Sequence, residues 1–325
     1  VTISLIYFRN SRLALEKNII ETSVRNLDYT MTIIEKQLKN AEHLSDWIFI
    51  NKKLDKILVR GYSGQYDSDI NDFLELVEYQ LKHNASIGTH IYSLLIRGNN
   101  GLDLRAGQPE GTHIALDELE QREWFQQGVT RWEKFWYGVV ENPSSIKFEE
   151  YIIPLARPVI HSHLYREIGW QMIGFRTSLI AEIFSSFEIR PDETLLVMDS
   201  RGFCVYHNDP RYIGRDVTKL EYIQKIFGGV GGGHFSSRIN GKDRYVVYSR
   251  SAITGWSIVR VLSSVELNRQ KRILLNITLV IFLSSVVFTS FLTVYLSINL
   301  TYPLTKLLQR TKAIALGAFD RDPSI

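Results

Sequence analysis

Two apolar patterns divide the chain. From Ile273 to Thr305 no charged residue occurs, and ILLNITLVIFLSSVVFTSFLTVYL exceeds the roughly 20 apolar residues that a spanning helix needs. The pattern predicts a transmembrane helix over residues 273–298. At the other end the chain opens on VTISLIYF, an apolar octet cut off by Arg9 and too short to span alone. Residues 1–8 are expected to be the end of a first transmembrane helix; the alternatives are a signal-peptide remnant or the start of a buried helix. Two such spans would place both chain ends on one side of the membrane and the intervening soluble body on the other.

The second pattern is helical and amphipathic. From Arg12 to about Phe49 there is neither Pro nor Gly, and Leu13, Ile20, Val24, Leu27, Met31, Ile34, Leu38 and Ala41 are apolar. From Ile20 onward their spacing alternates four and three, which is a heptad seam on a long helix, assigned to residues 9–50. A seam needs a partner. A second copy of the chain is expected to supply it, and packing on the chain's own domain is the alternative.

Beyond this helix the period changes. NKKLDKILVR and DINDFLELVEYQLK predict shorter helices, the second capped by Ser68 or Asp69. THIYSLLIR, the turn GNNG and LDLRA predict a hairpin, and DELEQREWFQQGVTRW predicts one helix. KFWYGVV, EEYIIPLARPVI and EIGWQMIGFR predict strands, and TSLIAEIFSSF a helix leading out. The same order then recurs in compressed form. TLLVMDSRGFCVYH repeats the first strand, turn and strand, and DRYVVYSRSAI with GWSIVRVLSSVEL echoes EEYIIPLARPVI with GWQMIGFRTSLI, placing Trp170 and Trp256 at equivalent positions. The fold class expected is α+β, two tandem lobes hung from one long N-terminal helix, with residues 51–190 in the membrane-distal lobe and 191–268 in the membrane-proximal lobe.

Charge adds little. The net charge is +3, and no Lys/Arg cluster alternates with aromatic residues, so no nucleic-acid partner is expected. The single cysteine, Cys204, excludes an internal disulfide and any CxxC motif.

The order of elements resembles the double-Cache (PAS-like) sensor domains of bacterial transmembrane receptors. The likeness is carried by the long opening helix, REWF in the first lobe, VMDSRGFCVYHNDPRYIGRDV opening the second, and GWSIVRVLSSVEL leading to the membrane. After the span, YPLTKLLQRTKAIALGAF resembles the first helix of a HAMP domain, assigned to residues 302–325. Its relay residues are Pro303, Leu304, Leu307, Ile314 and Gly317. Proline is tolerated at a first helical position, where its missing N–H would have no partner, so Pro303 is expected to start a new helix. The whole arrangement resembles the YesM-type sensor histidine kinases. Chemoreceptors and cyclic-dinucleotide enzymes share the same front end, and a membrane-anchored interaction module without a small ligand is the alternative of another class. The resemblance implies a homodimer in the cell membrane, multi-pass, with its sensor body extracytoplasmic. It further implies an output domain beyond Ile325 that uses ATP and Mg and passes its signal to a response regulator; no cofactor is expected within the residues given.

In amino-acid-binding double-Cache domains an Arg-x-Trp-Tyr segment grips the ligand carboxylate, and an Asp in a Gly-x-Asp segment takes the ammonium. Arg122, Trp124 and Phe125 match the first segment. Gly174-Phe175-Arg176 stands where Gly-x-Asp is expected, and Asp117 stands where a tyrosine is expected. The resemblance with these departures implies an anionic or polyhydroxylated extracytoplasmic ligand, held by Arg122 and Arg176 with Tyr92, Trp124 and Tyr137 as stacking surfaces. The other reading makes Trp124 and Phe125 core residues and pairs both arginines with surface carboxylates, leaving a partner protein or the state of the envelope as the stimulus. GGVGGGH at 228–234 lacks the Lys-Ser/Thr of a phosphate loop, and HSH at 161–163 supplies two metal ligands without a third. Asp199, Arg201 and Gly202 predict a plain turn, and no catalytic constellation is expected.

Overall fold

The computed structural model describes residues 2–61, 67–83, 88–107, 109, 112–130, 133–227, 231–262 and 264–315. Helix α1 runs unbroken over Thr2–Phe49, 48 residues, so residues 2–8 continue directly into the helix expected at 9–50. Asn51 starts α2 (Lys52–Val59) by accepting the N–H groups of Lys53 and Leu54 on its side chain. Helix α3 (Ser68–His83) is capped by neither Ser68 nor Asp69. The cap is Asp67, whose carboxylate takes the Asp69 N–H at 2.9 Å and whose carbonyl takes those of Ile70 and Asn71.

The first sheet contains β1 (Ile91–Gly98), β2 (Asp103–Ala106), β3 (Phe135–Trp136), β4 (Val140–Glu141), β5 (Tyr151–Ile160) and β6 (Glu167–Arg176). Its order is β2-β1-β6-β5-β3, with β4 also on β5 and every pairing antiparallel. Gly138, at φ +97°, divides the expected strand KFWYGVV into β3 and β4. Between β2 and β3 the expected single helix is two, α4 (Leu116–Glu120) and α5 (Glu123–Val129). Phe125 lies six residues after Leu119, about 240° around a continuous helix, so one helix could not bury both against the sheet. The break at Gln121 and Arg122 restores the phase, and Leu119 and Phe125 share one buried cluster. Helix α6 (Ser178–Phe184) leads out of the lobe.

The second sheet repeats the order: β8-β7-β11-β10-β9, from β7 (Thr194–Met198), β8 (Cys204–His207), β9 (Gly233–Ile239), β10 (Lys242–Arg250) and β11 (Ser257–Val261). A 3-10 turn at Pro210–Tyr212 and the short α7 (Glu221–Gln224) lie between β8 and β9. Of GGVGGGH, residues 228–230 lie outside the described residues, and Gly233 opens β9.

Within residues 19–264, which form one compact unit, the heptad seam has its partner in the same chain. Ile20, Leu27, Met31, Ile34, Leu38 and Ala41 are at most 5% exposed, and Val24 is half-buried; Leu13's side chain lies outside the described residues. From Leu27 on, the buried seam residues share a core with Leu94, Ile153, Ile173 and Phe175 of the first sheet, Leu195, Val247 and Ile258 of the second, and Trp256 just before β11. Polar contacts fix the register: Gln171 donates to the Ser45 carbonyl at 3.0 Å, Trp136 Nε1 to Glu42 at 2.9 Å, and Ser251 to Glu35 at 2.5 Å. The two tryptophans that look equivalent in sequence face opposite ways. Trp256 joins the core on α1, whereas Trp170 packs under α4 and α5 and donates to Glu120 at 2.7 Å.

The described residues of 2–18 and 265–315 form the other unit. Helix α8 (Ser264–Leu296) passes through a π turn at Ser297–Thr301 into α9 (Tyr302–Ala315). Among the described residues one helix is long and apolar enough to cross a membrane, Leu275–Gln309. The expected fresh start at Pro303 is instead a widened turn. Pro303 cannot donate to the carbonyl four residues back and its ring would strike it, and the Tyr302 N–H bonds to Ser297 O, five residues back, which opens the helix at that point. Gly317 lies outside the described residues, and of Ile314 only the backbone, within α9, is described.

Candidate functional site

The outer face of the first sheet, opposite α1, collects the residues singled out by sequence. Strict alternation would send Tyr92 toward α1 with Leu94 and Ile96 and Ser93 outward with Leu95, but a bulge between Ile91 and Ser93 turns Tyr92 outward as well, to the same face as Ser93. Tyr92, fully buried, forms a cluster with Val140 and Ile152, against which Trp124 and Tyr137 pack. Trp124 lies 5.9 Å from both Phe125 and Tyr137, and the Tyr92 hydroxyl donates to Ile146 O at 3.2 Å. Arg176, at the end of β6, holds its guanidinium 5.8 Å from the centre of the Tyr92 ring.

The polar inventory of this cluster does not close. Arg176 reaches Glu149 through Nη1 only at 3.8 Å, and its Nε is buried without a hydrogen-bond partner in the protein. Ser93 Oγ is likewise buried and unpartnered. A Cβ at Gly174 would come within 2.9 Å of that oxygen and 3.2 Å of Ile152 Cδ1, so only glycine leaves the space above Ser93 open. Two buried donors left unmade are costly unless something accepts from them. Sequence reasoning found Arg176, and Gly174 as part of its motif, but missed Ser93; alternation places Ser93 outward with Leu95, yet nothing in the residue pattern marks the bulge that brings Tyr92 beside it or the lack of a partner for its hydroxyl.

Four of the six residues, Tyr92, Trp124, Tyr137 and Arg176, therefore meet. The other two stand apart. Phe125 is core, 1% exposed, with its ring edge-on to Trp170 at 4.7 Å. Arg122 is exposed at the N-cap of α5. Lys147 holds the Glu141 carboxyl below the usual range, chiefly through a hydrogen bond, and the charge of Arg122 adds to the effect, which places Arg122 at the rim near β4. Asp117, in the place of the missing tyrosine, is exposed and pairs with Arg97 at 2.7 Å.

Elsewhere the geometry is structural. His161 Nδ1 accepts the N–H groups of His163 and Leu164, and no group of three His, Cys, Asp or Glu among the described residues is placed to hold a metal. Burial pushes the Cys204 thiol up to about 12, which removes it from thiolate chemistry at neutral pH. Cavities of 300, 490 and 270 Å³ lie at the α1–α2 junction, beside α3, and beside the β1–β2 turn, away from this cluster.

The profile of the Cache domain in its double form matches residues 11–270. The chain belongs to the Cache domain family. Solved structures agree with that assignment in fold. The periplasmic sensory domain of the Campylobacter jejuni chemoreceptor Tlp1 superposes with a TM-score of 0.60 at 13% identity, covering 78% of this chain and 97% of that one. The extracellular domain of the putative histidine kinase rpHK1S-Z16 gives 0.53 at 13%, covering 78% and 96%. The ligand-binding domain of the Pseudomonas aeruginosa chemoreceptor PctC, in complex with GABA, gives 0.52 at 14%, covering 75% and 100%. No curated protein sequence matches the chain. As a double-Cache protein the chain carries an extracytoplasmic sensor domain, followed, among the described residues, by one helix long and apolar enough to cross a membrane.

Proposed function

We propose that the double-Cache body senses a small anionic or polyhydroxylated ligand on the outer face of the first sheet and signals through α8 to a sensor histidine kinase output. The observation that carries this reading is the pair of buried, unpartnered donors, Arg176 Nε and Ser93 Oγ, the guanidinium of the first facing the Tyr92 ring and the second on the same sheet face, across Gly174 from Ile152. An oxygen-rich ligand supplies the missing acceptors, and the guanidinium offers it a fixed, always charged fork. Arg122 at the rim adds attraction for an anion during approach. GABA in the relative from Pseudomonas aeruginosa carries an amine as well as a carboxylate. In this chain a cation ends β6, so a ligand ammonium placed there would be repelled and a free α-amino acid is disfavoured.

A homodimer fits the reading through the membrane segment and α9, not through the α1 seam, which is already buried in its own chain. Leu304, Leu307 and Leu308 on α9 are 54–61% exposed and form the apolar stripe that a HAMP-type bundle of two copies would cover. The membrane topology proposed is multi-pass, with residues 1–8 contributing to a first span, and the response regulator is the downstream partner. A chemoreceptor output uses the same front end, and the fold likeness extends to both kinds of receptor.

The test is a thermal-shift panel of carboxylates, sugars, acidic oligosaccharides, phosphates and amino acids on residues 12–268. A ligand at 100 times its dissociation constant adds about 2.7 kcal/mol to stability. A hit abolished by Arg176→Gln or Ser93→Val supports the site. A hit indifferent to both, or a silent panel on folded protein, moves the reading to the interaction module with a protein stimulus.

A further inference from the structure

The turn after β7 reads from sequence as a plain reversal, yet its side chains reach into the first lobe. The Asp199 side chain is fully buried. Its Oδ1 accepts the N–H groups of Arg201 and Phe203, both at 2.9 Å, which shapes the turn. Its Oδ2 accepts Arg201 Nη2 at 2.7 Å and, from the other lobe, the Val139 N–H at 3.3 Å. Arg201 Nη2 also donates to Val139 O at 3.0 Å, so the residue after Gly138 is held by both its N–H and its carbonyl. The approach needs glycine: a Cβ at Gly138 would fall 2.1 Å from Asp199 Oδ2, and its φ of +97° suits no other residue well.

The grip extends to a side chain of the ligand cluster. The Arg201 guanidinium lies 3.9 Å from the centre of the Tyr137 ring and 4.7 Å from that of Phe203. Tyr137 in turn meets Trp124 at 5.9 Å and packs on Tyr92, Val140 and Ile152. A turn that merely reversed the chain would need Asp199 and its three bonds within residues 199–203. The bonds to Val139, the glycine at 138 and the stacking on Tyr137 serve something beyond the turn.

We propose that Asp199 and Arg201 are positioning residues of the first-lobe aromatic cluster, fixing its Tyr137 wall from the second lobe. Movement of that wall on ligand binding is then linked to the β7 turn. Met198 pairs with Ser257 at the start of β11, and β11 ends three residues before α8, so the turn sits on the strand pair that leads to the membrane helix. The inference rests on the reading of the first-lobe cluster as a ligand site for its meaning, while the linkage itself is a property of the unliganded protein. Coupling of this kind is reciprocal, so it can be read from either end.

The experiment uses the full chain in detergent, labelled with 5-fluorotryptophan, with the Trp124 fluorine signal identified by its loss in Trp124→Phe. Arg201→Met removes the guanidinium and keeps the apolar stem. The expected result is a displaced Trp124 signal with those of Trp47 and Trp256 unmoved, and amide exchange at Val139 faster by about tenfold or more: its N–H keeps Asp199 as acceptor, but the Arg201 bonds that hold both that carboxylate and the Val139 carbonyl are lost. Arg201→Lys, which keeps a cation over Tyr137 but loses the fork, is expected to bring the Trp124 signal part of the way back. A Trp124 signal in Arg201→Met that coincides with the unsubstituted protein overturns the proposal. Should Arg201→Met fail to fold, Trp124→Phe reads the link in reverse. Faster exchange at the Arg201 and Phe203 amides supports the proposal, and unchanged exchange there overturns it. Neither readout involves a ligand, so a failed ligand panel and a failed linkage remain separate results.

Discussion

Replacing Leu38 with alanine separates two accounts of the long helix. Leu38 is 2% exposed and shares a core with Leu94, Ile173 and Val247 from both sheets. Removing a buried leucine side chain loses its transfer free energy and leaves a cavity, together costing about 3 kcal/mol. Tyr29, 70% exposed on the same helix, is the control, and its change to alanine should stay within about 0.5 kcal/mol. The assay is urea unfolding of residues 12–268 at two protein concentrations a hundredfold apart. A seam used between copies would tie stability to concentration, worth about 2.7 kcal/mol over that range. The intrachain seam predicts the loss at Leu38 with midpoints independent of concentration. A Leu38→Ala midpoint equal to that of the unsubstituted protein, or midpoints that climb with concentration, would refute the packing described here.

Other outcomes follow from the same geometry. Phe125→Ala should cost about 3–5 kcal/mol in the same unfolding assay, because Phe125 is core and not a ligand contact. Gly214→Ala should destabilise by about 1–3 kcal/mol, since its Cβ would fall 2.0 Å from the Tyr151 ring of the other lobe at a φ of +76°. Burial lowers the His207 pKa below its usual 6.5, outweighing the opposing pull of Asp209, and neutral Nδ1 accepts the Asp209 N–H at 2.8 Å. The protonated form is then favoured in the unfolded chain, so this stability is present above about pH 6.5 and lost as pH falls toward the folded pKa, with the imidazole midpoint by NMR below 6.5. Leu307→Asp, on the exposed stripe of α9, should abolish ligand-dependent output while leaving ligand affinity unchanged by titration calorimetry.

Much of the fold is legible because its signals are local. Hydropathy marks the membrane-length helix, and the repeated strand-turn-strand order marks two lobes before any contact is known. The heptad spacing of Ile20 to Ala41 is equally plain, yet period gives only a face and not the surface that covers it. Here two sheets from the same chain do so. The break at Arg122 was readable in the six-residue gap from Leu119 to Phe125, a phase error in a single helix. Ser93 was not readable as a site residue: alternation puts it outward with Leu95, but the bulge that brings Tyr92 to that face, and the lack of a partner for the Ser93 hydroxyl, leave no mark in the sequence. The role of Asp199 was hidden for a related reason: its reach to Val139 joins residues 60 positions apart, and nothing in DSRG distinguishes a free turn from a gripping one.

Arg176 is the residue on which a ligand site at this face depends most directly. Titration calorimetry of the panel's strongest ligand against the unsubstituted soluble body and Arg176→Gln measures it most directly. Loss of a hydrogen bond to a charged group costs about 1.5–3 kcal/mol, so affinity should fall roughly 10- to 150-fold while the unfolding midpoint stays close to that of the parent. Equal affinity in the two proteins would contradict the claim that the outer face of the first lobe is the sensing site.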